Sequence, residues 1–267
     1  MKKTFSLLLA ALLLLMPLPD FANSEAEEEL SPLTPKIVEL FNNSLVEMGT
    51  KITQADVDLS LAQKVYVDVN LFRLKTDSHH EVTSILKEQG SVVWMLPIYA
   101  NGKTAVFQIS KGLPVPPNAS LSEEERKRIE ANVGKWTIPA FGSEEGKTDY
   151  YARVKAAFGH VPQGTLLVSG QPYFRIPMAL IPGDSGELAW IIPSAPISYE
   201  EPELPTVNMN GIDVYPYHET KEIIDQYDTS DAEPQGSPLL IPLSILITLS
   251  IALIGFMILR RKTKRTA

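Results

Sequence analysis

Apolar positions along this chain fall into four regimes. Phe5 to Met16 form a short apolar run after Lys2 and Lys3, ended by Pro17, Pro19 and a stretch of small residues. From residue 25 to 192 apolar positions recur at helical or strand spacing. From 193 to 237 they thin out among prolines and acids. From 238 to 259 they become almost continuous, broken only by mild residues such as Ser244, Thr248 and Gly255, and then stop at Arg260, Arg261, Lys262, Lys264 and Arg265.

The periodic region predicts alternating helices and hairpins. Thr34-Pro35 suits a helix start, with threonine as cap and proline at the first helical position. Ile37, Leu40, Phe41, Leu45 and Met48 follow on one face, and Gly49 ends the run. Val65, Val67, Val69 and Leu71 alternate as a strand over Lys64 to Phe72. Ser78 and Glu81 have capping-box spacing before Val82, Ile85 and Leu86. Asn101-Gly102 then joins two β-rich runs, and both residues tolerate the positive φ of a type I′ turn. Pairing Ala100 with Lys103 puts Trp94, Leu96, Ile98, Ala105, Phe107 and Ile109 on one face, the face expected to be buried. Pro97 places its strand at an edge or at a bulge, since proline donates nothing to a ladder, and the Pro97 and Pro177 strands are the expected exposed edges.

A second series of elements follows. Ser120 and Glu123 repeat the capping spacing. Trp136 to Phe141 reads as a strand, and Tyr151, Val154 and Phe158 as a helical stripe. Gly164 to Ser169 reads as a short strand. Tyr173–Ile181 and Glu187–Ile192 predict a second hairpin, with Phe174, Ile176, Met178, Leu180, Leu188, Trp190 and Ile192 inward. The order helix–strand–helix–hairpin thus occurs twice, in halves 32–112 and 118–194. Tandem duplication accounts for this, and so does coincidence between short common elements. Either way the expected class is α+β, an exported domain of antiparallel hairpins with helices on one face.

The two ends set the expected topology. Residues 238–259 meet the roughly twenty apolar residues that a helix needs to cross about 30 Å of hydrocarbon. The basic tail, 260–267, fixes that tail in the cytoplasm. The N-terminal run has the form of a secretory signal peptide, residues 1–24. Ala22 and Ser24 occupy the −3 and −1 positions for cleavage after Ser24, and Ser24 and Ala26 do so for cleavage after Ala26. The expectation is a single-pass type I protein of the cell membrane, with residues 25–192 extracytoplasmic. The chain has no cysteine, hence neither disulfide nor lipidation site. A cysteine-free exported domain of this size points to a bacterial envelope.

Charge narrows the partners. Residues 25–237 carry 17 of the 24 basic residues and 31 of the 32 acidic ones, a net charge of −14 against −8 for the whole chain. Such a surface repels nucleic acid and anionic headgroups. From Glu200 to Glu233 ten acids face one base, Lys221, among scattered prolines, which predicts an extended stalk over 193–237. Within it, His218 to Tyr227 has the spacing of one short helix.

Candidate chemistry is sparse. Gly183-Asp184-Ser185-Gly186 resembles the loop around the nucleophilic serine of trypsin-like proteases, and His79 or His80, Asp149 and Ser185 follow that family's chain order. The resemblance would imply a serine nucleophile with a histidine base. It covers four residues, Glu187 and Leu188 depart from the family's loop, and the alternating helices and hairpins are unlike its two barrels. The same four letters also make an ordinary hairpin loop. His79-His80-Glu81 lacks metal-ligand spacing, because adjacent residues point apart. No phosphate-binding or cofactor motif occurs, so no cofactor or metal is expected. Tyr99, Tyr173 and Arg175 are the candidate surface residues of the hairpins. The leading expectation is a non-catalytic binding or assembly module that contacts other envelope proteins, with the membrane engaged through residues 238–259. The alternatives are an exported serine hydrolase using Ser185 and a membrane-tethered chaperone or sensor.

Overall fold

A computed structural model describes residues 21–116, 119–144, 149–174, 176–197 and 202–230. Residues 1–20 of the expected leader, the apolar run 238–259 and the basic tail lie outside these. Among the described residues no helix is long and apolar enough to cross a membrane. The fold is α+β. Nine strands form one mixed sheet: β1 (Gln63–Val67), β2 (Ser91–Ala100), β3 (Lys103–Lys111), β4 (Trp136–Glu144), β5 (Leu166–Val168), β6 (Met178–Pro182), β7 (Leu188–Pro193), β8 (Val207–Met209) and β9 (Ile212–Pro216). Their order is β4-β3-β2-β1-β5-β6-β7-β9-β8, and only the central β1–β5 pair is parallel. The helices are α1 (Phe21–Leu30), α2 (Thr34–Ser44), α3 (His79–Gln89), α4 (Glu123–Glu130), α5 (Ala152–Phe158) and α6 (Tyr217–Ser230).

The first hairpin has the register read from its sequence. Ala100 pairs with Lys103, Ile98 with Ala105, Leu96 with Phe107 and Trp94 with Ile109. Asn101 and Gly102 both take positive φ, +52° and +71°, as the turn requires. The inward face of β2 and β3 is buried under α1 and α2, with Ile37 and Phe41 packed against Trp94, Leu96 and Phe107. The same face of the sheet continues through Tyr66, Val168, Met178, Leu180 and Ile191, where α3 and α6 cover it.

Helices lie on both faces of this sheet, which corrects the expected one-sided arrangement. Val154 and Ala157 of α5 pack against Val65, Leu167, Ala179, Ile181, Ile192 and Val214. Those strand residues alternate with the ones under α3 and α6, so they point the other way. The reason is the central position of β1, β5 and β6, whose two faces are both apolar. A sheet buried on both sides needs cover on both sides.

The second hairpin corrects the expected inward set. Ile181 pairs with Trp190, but Pro182 pairs with Leu188, so Ala189 is an extra residue in a bulge. Leu188 therefore shares the face of Met178 and Leu180, whereas Trp190 and Ile192 fall on the α5 face. A strict period of two cannot register one inserted residue. Pro97 and Pro177 do not mark edges either. Pro97 lies in β2 between β1 and β3, but β1 has already ended, because its first residue, Gln63, pairs with Met95. Its missing donor thus faces no strand. Pro177 precedes β6, itself an interior strand. The edges are β4 and β8.

The two series of elements do not map onto one another as the sequence order suggested. β4, expected to open a second copy, pairs with β3 and closes the first half of the sheet. α3 and α5, the expected equivalents, lie on opposite faces. The expected strand 64–72 is also shorter. It stops at Asp68, which takes a left-handed φ of +68°, and a single 3-10 turn occupies Leu71–Arg73. At α4 the capping box is Ser122 with Glu125 rather than Ser120 with Glu123.

The largest correction concerns the expected stalk. Residues 207–230 are built into the domain. Ile191 of β7 pairs with Tyr215 of β9, and α6 buries Tyr217, Thr220 and Ile224. Those three recur at i, i+3 and i+7, one stripe of a helix. Acids dominate the solvent side of α6, and the ten acidic residues of the segment concealed this narrow stripe.

Candidate functional site

The serine loop is a structural strap. Gly183-Asp184-Ser185-Gly186 closes the β6–β7 hairpin, with Gly183 N–H donating to Glu187 C=O at 2.8 Å and Gly186 N–H to Gly183 C=O at 3.1 Å. Ser185 Oγ accepts from Glu187 N–H at 3.4 Å. The loop does meet the start of α3, since His79 N–H donates to Gly186 C=O at 3.0 Å. The imidazole, however, is engaged elsewhere. Nε2 of His79 lies 2.7 Å from Gly164 C=O, and a carbonyl only accepts, so Nε2 carries the proton there. His80 is exposed. Asp149 binds Lys155 at 2.8 Å and Tyr151 N–H at 2.9 Å at the start of α5. Among the described residues no imidazole bonds Ser185, so nucleophile, base and orienting acid are not assembled. Ser185→Ala is expected to change unfolding free energy by less than about 0.5 kcal/mol, as for an exposed polar side chain. A fluorophosphonate probe should label neither form, which labelling of the solubilised protein checks directly.

What this strap positions is Asp77. Leu188 N–H donates to Asp77 C=O at 2.8 Å, and Ser78 bridges Glu187, so the residues before α3 are sewn to β7. From there the Asp77 carboxylate reaches α6 and receives both the Lys221 ammonium and His218 Nδ1, the latter at 2.8 Å. Lys221 also donates to Thr76 C=O at 3.3 Å, and His218 Nε2 lies 3.2 Å from Glu222. Beside this cluster a cavity of about 340 Å³ opens between α6 and Phe72, Arg73, Leu74 and Lys75. Farther along α6, Tyr227 meets Tyr173 edge-on at 5.6 Å. Tyr173 holds a left-handed φ of +65°, strained for a bulky residue, at the turn that also buries Phe174. The geometry is that of a helix clamp.

The electrostatics favour a closed clamp in mild acid. Partial burial alone would raise the Asp77 carboxyl, but hydrogen bonds from Lys221 and His218, with their charges, outweigh it and hold the group below its ordinary value. The hydrogen bond to Asp77, then the charge of Glu222, raises the His218 imidazole. A raised imidazole contributes stability at low pH that is lost as pH rises through its folded value. A lowered carboxylate contributes stability that is lost as pH falls through its own. Ordinary values near 3.9 and 6.5 bracket the window. Protection of the α6 amides, with exchange divided by its intrinsic rate at each pH, should therefore be greatest between roughly pH 4 and 6.5 and should fall above it. His218→Ala should abolish the alkaline loss of protection while leaving the acid side, which Lys221 and Asp77 carry. Exchange measured by mass spectrometry across that range checks both flanks.

Two hydroxyls under α6, Tyr217 Oη and Thr220 Oγ1, are buried without a hydrogen-bond partner among the described residues. Burial, aided by the Asp77 charge, raises the Tyr217 phenol well above its ordinary value. Thr220→Val removes one orphan hydroxyl at nearly constant shape. It is expected to stabilise the domain by about 1 kcal/mol, read from a denaturant midpoint.

The other sequence candidates are dispersed. Tyr99 is exposed, at 55%, on the outer face of β2, whereas Trp94 is buried and donates to Glu29 at 2.8 Å. Tyr173 is half-buried against α6, and Arg175 lies outside the described residues. No group of three His, Cys, Asp or Glu is placed to hold a metal ion among the described residues. Asp77, His218 and Lys221 did not stand out in the sequence. The available signal was the spacing of His218, Lys221 and Glu222 on one turn, which a stalk reading leaves without purpose.

In comparisons with known proteins, no family model, curated protein or solved structure matches this chain.

Proposed function

We propose that this is a single-pass membrane protein of a bacterial envelope, whose exported α+β domain is a non-catalytic binding or assembly module. Its leader is removed, residues 238–259 form the span, and 260–267 remain in the cytoplasm. The observation that carries the non-catalytic part is the serine loop itself. Its hydroxyl accepts a backbone N–H, the neighbouring imidazole is turned to the Gly164 carbonyl, and the loop's bonds serve to place Asp77 against α6. The clamp in turn shapes the tethering. With α6 folded onto the domain, only residues 231–237 separate it from the apolar run. That length spans at most about 25 Å, so the domain would stand close to the bilayer rather than on a long stalk.

Partners would be proteins rather than nucleic acid or anionic lipid, given the net negative domain. The nine-residue edge strand β4 offers backbone groups for strand addition, tempered by Pro139, and exposed Tyr99 offers an aromatic contact. Two measurements test the proposal. A reporter fused after Ala267 should be active only in the cytoplasm, and external protease should reach the domain. Crosslinking in intact membranes should trap the domain with defined protein neighbours. Retention of residues 25–230 in the cytoplasm would sink the topology, and turnover of an ester or peptide substrate would sink the non-catalytic reading.

A further inference from the structure

Two peptide bonds satisfy the small-residue rule for removal of the leader, after Ser24 and after Ala26, and the sequence does not choose between them. The fold does. Residues 25–30 of α1 are part of the core. Ala26 is 1% exposed and Leu30 fully buried, both among the side chains that pack with Trp94, Leu96 and Phe107. The Glu25 carboxylate pairs with the Lys64 ammonium. That ammonium also lies 5.6 Å from the ring centres of both Tyr66 and Trp94, and the Lys64 side chain is only 21% exposed. Glu29 accepts the Trp94 indole N–H at 2.8 Å.

We propose that the leader is cut at the Ser24–Glu25 bond and that the exported chain begins with Glu25. The inference rests on the exported reading given above. Hydrolysis at this bond consumes one water, whose hydroxyl goes to the Ser24 carbonyl and whose proton goes to the Glu25 nitrogen. It leaves a helix of six residues, 25–30, that keeps Ala26 in the core and Glu25 on Lys64. The new ammonium at its start opposes the helix dipole, and Glu27, Glu28 and Glu29 in the first turn offset this. A cut after Ala26 would leave four residues, barely one turn. It would also empty the buried Ala26 site, strip Lys64 of its carboxylate, and bring a charged terminus to the edge of the apolar core.

The test is the mass and N-terminal sequence of the full-length protein purified from membranes. A chain beginning with Glu25 is the expected result. A chain beginning with Glu27, or at any other processed residue, overturns the assignment while leaving export intact. A chain that keeps its leader and stays in the cytoplasm overturns the exported reading itself. Two variants separate the sites without depending on folding, since chain mass is the readout. Ala26→Leu removes the small residue of the alternative site and should leave the cut in place. Ala22→Leu removes the −3 residue of the proposed site, and the precursor should accumulate at least tenfold. Wild-type processing of Ala22→Leu, or loss of processing in Ala26→Leu, contradicts the proposal.

Discussion

Ile224→Ala is expected to lower the unfolding free energy of the domain by about 2–4 kcal/mol, the range for removing a fully buried branched side chain. The expectation turns on where α6 sits. Ile224 is 0% exposed and packs in the cluster that includes Phe72, Val82, Leu86 and Phe174. Truncation leaves a cavity where α6 packs on this cluster, and the surrounding side chains then lose contacts that dispersion and burial supply together. In a stalk the same substitution would fall within about 0.5 kcal/mol. Ile223, one residue earlier on the more exposed side, provides the control, and its alanine variant should show the smaller effect. Denaturant melts of the solubilised protein, followed by tryptophan fluorescence, give both numbers. Equal, negligible shifts would mean that α6 is not part of the folded unit in solution.

The contrast between Ile223 and Ile224 shows how far local pattern reaches in this chain. The β2–β3 hairpin was legible to the residue, because its turn chemistry and its alternation agree on one register. β1 and α3 were legible in kind, but the strand end at Asp68 was not, since nothing in its composition announces a left-handed residue. The second hairpin opens at Met178 rather than at the expected Tyr173, whose left-handed φ belongs to a turn, and from there it reads correctly until Ala189, where the bulge shifts the later residues to the other face. The helix of α6 was legible over His218 to Tyr227, but its docking on the domain was missed. Its buried stripe is three residues wide within a segment where acid and proline dominate average composition, and its energy comes from tertiary contact rather than propensity. The clamp residues share this fate. Asp77 and Lys221 are 144 positions apart, and neither has a local pattern that points to the other. Ser185 shows the converse, a motif legible in four letters whose surroundings give it a scaffold's role.

Gln171→Leu is expected to cost about 2–4 kcal/mol, although it replaces a polar core side chain by an apolar one of similar size. Gln171 is only 4% exposed and joins the two loops that follow the central parallel strands. Its Oε1 accepts from Leu71 N–H at 2.8 Å, while Nε2 donates to Val69 C=O at 2.7 Å and Ser169 C=O at 3.3 Å. Leucine leaves the Leu71 donor and the Val69 acceptor facing apolar atoms, and each orphaned buried group costs about 1–3 kcal/mol. Gln171→Glu sharpens the test. A carboxylate would accept from Leu71 but could give nothing to the two carbonyls, and its charge would be buried beside their negative ends. Desolvation raises the folded-state value of the introduced carboxyl above its unfolded value of about 4.3. The deficit of that variant should therefore be smallest in acid, where the protonated group can donate to Val69, and should grow as pH rises through the raised value. The leucine variant has nothing to titrate there and should show a deficit nearly independent of pH. A glutamate variant as stable as wild type at neutral pH would mean that Gln171 does not bind both loops at once.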